Sequence, residues 1–79
     1  VPHVTVKLWP GETDEAKQRL SDAIVDNAVR ILGCSKASLS VAFIDVSPAE
    51  WLDEVYEPDI AHRAASLTKR PGYGPAAAR

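Results

Sequence analysis

Residues 3–9 read His-Val-Thr-Val-Lys-Leu-Trp, and residues 38–46 read Ser-Leu-Ser-Val-Ala-Phe-Ile-Asp-Val. In the first stretch Val4, Val6 and Leu8 alternate with His3, Thr5, Lys7 and Trp9, the period-2 pattern of a strand with one apolar face. Pro10-Gly11 marks its end. In the second stretch Leu39, Val41 and Phe43 share one face, and Ser38, Ser40, Ala42, Ile44 and Val46 share the other. Both faces are mostly apolar or small, as in a strand covered on both sides.

Between the two strands, residues 14–32 carry a helical pattern. Thr13 suits the N-cap, Asp14 and Glu15 complement the helix dipole, and Gly33 suits the C-terminal cap. At 3.6 residues per turn, Ala16, Leu20, Ile24, Val25, Ala28, Val29, Ile31 and Leu32 spread over an apolar arc of roughly 200°. A surface helix needs only about 100°. One sheet cannot cover such an arc, so part of it is expected to meet another subunit. A strand–helix–strand order predicts two parallel strands joined by a right-handed crossover.

After the second strand, Ser47-Pro48-Ala49-Glu50 predicts a helix start with a capping box. Trp51, Leu52 and Val55 follow at helical spacing. Pro58 should break or restart the helix, and residues 59–68 read as a further helical stretch with Ile60, Ala64 and Leu67 on one face. Pro71-Gly72-Tyr73-Gly74-Pro75 is a turn-rich exit. Residues 1–75 thus read as one domain and 76–79 as a flexible tail.

The fold class is α/β (α+β): a β-α-β subunit with a two-stranded parallel core sheet and a second helical segment. Such a sheet is too small to stand alone. The 79 residues contain roughly a quarter Leu, Ile, Val and Phe, a thin supply for a lone core in a chain this short. A single cysteine, Cys34, excludes an internal disulfide. One Cys and two distant histidines, His3 and His62, make no zinc cluster. Oligomerisation is the remaining support. Pairing two subunits through a dyad would give a four-stranded sheet per dimer.

A net charge of −2 lacks the basic face that nucleic acid requires, and no apolar run is long enough for a membrane span. With no charged-then-apolar leader and no disulfide, a cytoplasmic protein is expected.

Most polar residues invite bland readings: Cys34 an inert residue in a turn, His62 a solvated or capping side chain, Asp45 a turn group. Pro2 is different. It stands just before the strand that opens the fold. If Val1 is removed, its nitrogen becomes a secondary amine. An apolar pocket disfavours the ammonium form, and a neutral amine is a good general base. With Val1 attached the same nitrogen is an amide and cannot act. Valine at position 1 is a residue an alternative start codon would encode, and two forms stay open: one that begins at Pro2, and one that retains Val1 and is expected to lack proline-dependent activity.

Together, Pro2-His3-Val4-Thr5-Val6, the helix start Asp14-Glu15-x-Lys17, the strand Ser38-Leu39-Ser40-Val41 and the exit Lys69-Arg70-Pro71-Gly72-Tyr73 resemble the tautomerase superfamily. They are most similar to the 4-oxalocrotonate tautomerase family, in its longer-chain subgroup with a Pro-Gly-Tyr ending. The resemblance covers residues 2–74. It implies a cofactor-independent enzyme in dimers, or hexamers of dimers, whose amino-terminal proline moves a proton within an enol or dienol acid. It places Trp51 as an aromatic pocket wall.

Members of that family acting on dicarboxylates carry an arginine just after strand 1 and another in strand 2. Here those positions hold Gly11 and Ser40, and serine does not replace a guanidinium fork. The expected substrate is therefore a small 2-keto/2-enol monoacid, plausibly aromatic, with charge supplied by Lys7, Lys36, Arg63 or Lys69. Pro2 is the candidate catalytic residue; Trp51, Ser40 and Lys7 are the candidate substrate-binding residues; no metal or cofactor is expected. A dimer is favoured over a hexamer, because the residues after 58 would cover the surface a hexamer uses. Two alternatives stay open: a hydratase or decarboxylase on the same scaffold, and a non-catalytic oligomeric binding protein.

Overall fold

The computed structural model describes residues 1–77. Strand β1 spans His3–Leu8, helix α1 Asp14–Leu32 and strand β2 Ser40–Asp45. The strands pair in parallel, with His3 opposite Ser40, Thr5 opposite Ala42, Lys7 opposite Ile44 and Leu8 opposite Asp45. This is the expected β-α-β unit. The chain divides into two compact units, Val1–Asp45 and a second beginning at Val46.

Helix α1 begins and ends where its caps demand. Thr13 Oγ1 accepts the Ala16 N–H at 3.0 Å, satisfying one of the orphan donors of the first turn. Gly33 closes the helix at φ 71°, its N–H bonded to the Val29 carbonyl, a left-handed conformation that favours glycine. Grooves along the helix are lined by Lys17 and Leu20 with Leu8 and Phe43, and by Gln18 and Ser21 with Leu39 and Val41. Helix α1 therefore lies over the face that carries Val4, Val6, Leu8, Val41 and Phe43. His3, Thr5, Lys7, Ser40, Ala42 and Ile44 occupy the opposite face.

The half-buried stripe of α1 is Lys17, Ser21, Ile24, Val25, Ala28 and Val29. It is narrower than the apolar arc. Leu20, Ile31 and Leu32 remain exposed, the last two at 68% and 66%, and no α1 residue is fully buried.

Strand β2 starts at Ser40, two residues later than the pattern suggests. Ser38 returns both its N–H and its hydroxyl to the Ser35 carbonyl. This local bonding holds Lys36–Ser38 in a 3₁₀ turn and competes with strand pairing. Asp45 closes the strand with its carboxylate 3.0 Å from Lys17 Nζ.

In the second unit, helix α2 spans Pro48–Trp51. Ser47 caps it in extended conformation, but its hydroxyl goes to the Glu50 carboxylate at 3.2 Å and accepts no backbone N–H. The two residues thus bond side chain to side chain in place of the reciprocal side-chain-to-backbone bonds of a capping box. From Leu52 to Ala61 the helix continues as a wide π-helical run that includes Pro58, ending with the His62 N–H on the Glu57 carbonyl at 3.1 Å. This corrects the expected break at Pro58. The strict α-helix clash is between the proline ring and the carbonyl four residues back, and a five-residue bonding step relaxes that spacing. The helix expected over 59–68 is likewise not formed as one element: the run stops at Ala61 and a 3₁₀ turn occupies Ala64–Ser66.

The buried residues of this unit are Val46, Val55, Tyr56 and Ala76. The Tyr56 hydroxyl accepts the Ala76 N–H at 2.7 Å, so the segment expected to be a loose tail is tied down at its first residue; Ala78 and Arg79 lie outside the described residues.

Candidate functional site

The site assembles at the end of the sheet where β1 begins, on the face opposite α1. The Pro2 carbonyl accepts the Ser40 N–H at 3.3 Å. That bond extends the parallel ladder one step before β1 and fastens the residue ahead of the strand. The Pro2 nitrogen, the candidate base, is the amide joined to Val1, which is fully exposed.

Ser40 and His3 are opposite one another in the register, and Ser40 Oγ lies 2.6 Å from His3 Nδ1. Thr5, two residues further along the same face, places Oγ1 3.1 Å from His3 Nε2. Both ring nitrogens of His3 are therefore engaged by hydroxyls. All three side chains are exposed, so the chain of bonds is open to a ligand.

Lys7 shares this face but stands opposite Ile44. At about 3.3 Å per residue, four residues of strand separate it from His3 by roughly 13 Å. The structure thus brings Pro2 and Ser40 together and sets Lys7 apart.

Trp51 belongs to the second unit, at the end of α2. Its indole N–H donates to the Tyr73 hydroxyl at 3.1 Å. The Tyr73 ring in turn packs against Tyr56, with centroids 5.7 Å apart and planes tilted by 44°, a favourable aromatic arrangement. Trp51 is therefore held by the exit segment, whose Gly74 adopts φ 70° beside the Tyr56 ring.

Sequence reasoning passed over His3, Thr5 and Tyr73 as functional residues. The alternation of β1 already puts His3 and Thr5 on one face. What it lacks is the register that sets Ser40 opposite them. A groove of about 540 Å³ along α1, lined in part by Asp22, Asp26 and Lys36, includes none of these residues.

A family model described as "Tautomerase enzyme" matches residues 2–55, starting at Pro2. The chain belongs to the tautomerase family. It is an isomerase. The chain is 39% identical over 74 residues to a "Probable tautomerase" of Xylella fastidiosa, covering 94% of this chain and 90% of that one. It is 35% identical to Tautomerase PptA of Cronobacter sakazakii and 39% identical to Tautomerase PptA of Klebsiella pneumoniae strain 342, each match covering 92% of this chain and 97% of the relative. In this tautomerase the alignments span both units. Among the described residues no helix is long and apolar enough to cross a membrane.

Proposed function

We propose that this tautomerase interconverts the enol and keto forms of a small 2-oxo monoacid, with Pro2 as the general base once Val1 has been removed. The observation that carries the reading is the bond from the Ser40 N–H to the Pro2 carbonyl. It holds the residue at the head of β1 in fixed geometry, where a free chain end would fray. A secondary amine held there and partly desolvated would be neutral enough to accept the enol O–H proton. The prolinium N–H then returns a proton to the adjacent carbon as the C=O forms, so no proton is gained or lost overall.

The substrate's carboxylate would meet Ser40. Gly11 and Ser40 stand where dicarboxylate-binding relatives would place guanidinium groups, which supports a monoacid. Trp51, braced by Tyr73, would offer an aromatic wall. The chain would act as a homodimer, because Leu20, Ile31 and Leu32 of α1 and Ile44 of β2, about half to two-thirds exposed, would gain about 1–2 kcal/mol each when covered.

The test is the conversion of phenylenolpyruvate by protein whose amino terminus has been established by intact-mass spectrometry. Protein beginning at Pro2 should be active, and Pro2→Ala should lose about 10²-fold or more in kcat/KM, the usual worth of a positioned base. Full activity in protein that retains Val1 would reject the proline mechanism.

A further inference from the structure

We propose that His3 and Thr5 are positioning residues that make Ser40 a polarised hydrogen-bond donor to the substrate's carboxylate, doing with a chain of hydroxyls and imidazole what a guanidinium would otherwise do. The inference rests on the monoacid reading above and names the subsite that reads the acid.

The geometry restricts the protons. A neutral imidazole has one N–H and one lone pair, and both nitrogens of His3 have a hydroxyl partner. Two arrangements satisfy these contacts. In the first, the Ser40 O–H donates to Nδ1 and the Nε2–H donates to Thr5 Oγ1; the Ser40 proton is consumed. In the second, the Thr5 O–H donates to Nε2 and the Nδ1–H donates to Ser40 Oγ. The Ser40 O–H is then free to point outward.

An incoming carboxylate accepts but does not donate, so it selects the second arrangement. Each donor in the sequence Thr5 O–H, His3 Nδ1–H, Ser40 O–H is polarised by the one behind it, and such chains strengthen cooperatively. The 2.6 Å separation of His3 and Ser40 makes that coupling tight. The subsite lies next to the residue whose proton transfer it would serve, because the Ser40 N–H is bonded to Pro2. Ala42 and Ile44, the β2 residues beyond Ser40 on this face, carry no charge, and Lys7 is about four strand positions away. The carboxylate is thus read by this chain of donors within the subunit.

The probe is phenylacetate, a monoacid that does not tautomerise, titrated into the full chain with ¹⁵N-labelled histidine. The ring ¹⁵N shifts of His3 report which nitrogen holds the proton, and His62 is the internal control. Saturation should move the neutral His3 ring toward the Nδ1–H form, and Ser40→Ala should abolish the response. Thr5→Val should weaken binding about three- to tenfold, the worth of one hydrogen bond, as should His3→Phe. His3→Asn, whose amide can stand in for the Nδ1–H, should restore affinity to within about twofold. A merely structural His3 would show no ligand-dependent tautomer change. An unchanged tautomer with ligand bound, unaltered affinity in His3→Phe, or no binding of phenylacetate would each overturn the inference. Since the probe does not react, the same titration of Pro2→Ala separates the two proposals. An intact tautomer response in protein whose turnover does not depend on Pro2 leaves this subsite standing and removes only the proline base.

Discussion

Gly74 lies directly against the ring of Tyr56: a Cβ at this position would sit 2.6 Å from Tyr56 Cζ, closer than real carbon atoms approach. The backbone there has φ 70°, where an L side chain is strained even without a neighbour. The glycine lets the exit segment fold back so that the Tyr56 hydroxyl reaches the Ala76 N–H.

Gly74→Ala is therefore expected to destabilise the protein by about 1–3 kcal/mol, the usual cost of overpacking, with the strained φ adding to it. Urea unfolding followed by tyrosine fluorescence would show a lower midpoint at unchanged slope. A wild-type midpoint would mean that the exit segment does not pack on Tyr56 in solution.

Tyr73 braces Trp51 through the indole N–H. Tyr73→Phe keeps the ring packing on Tyr56 and removes only the acceptor. Stability should fall by no more than about 0.5–1.5 kcal/mol, while the Trp51 emission, measured in a Trp9→Phe background, should shift because the indole is no longer held. If Trp51 is the pocket wall, KM for an aromatic enol acid rises more than kcat falls. Identical spectra and kinetics in the two proteins would separate Trp51 from Tyr73 functionally.

Lys17 joins α1 to the end of β2 through Asp45. Both side chains keep solvent contact, at 20% and 44% exposure, so screening limits the pair to under about 1 kcal/mol. A double-mutant cycle with Lys17→Met and Asp45→Asn should give a coupling of that size that shrinks as salt is raised. A coupling of several kcal/mol would show that the pair is buried in the working assembly.

Ile31 and Leu32 at the end of α1 are about two-thirds exposed. If a second subunit covers them, sedimentation velocity at tens of micromolar should give a dimer, and the thermal midpoint should rise with protein concentration. Ile31→Glu should shift the distribution toward monomer. A monomeric wild-type protein would remove the assembly from the proposed function.

Much of the fold was legible in the residues because it depends on local chemistry. The alternation of residues 3–9, the Thr13 cap and the Gly33 stop each encode their own element, and α1 begins and ends where those signals stand. The misreadings share a cause. Ser38 could bond locally to Ser35 or join β2, and it bonds locally. Pro58 forbids a regular α-turn but not the wider one that forms. Where two local structures compete within a few kcal/mol, packing decides, and packing is not local.

The same division holds for the site. Pro2 drew notice by its position in the chain, and Ser40 by the residue it lacks relative to similar enzymes. Period-2 alternation alone determined that His3, Thr5 and Lys7 share a face. Only the tertiary structure decided that Ser40 stands opposite His3, because register comes from how α1 returns the chain to the sheet. A shift of one residue would turn Ser40 to the other face. Parallel pairing in the observed register brings two hydroxyls to one imidazole and sets Lys7 opposite Ile44, four strand positions from His3.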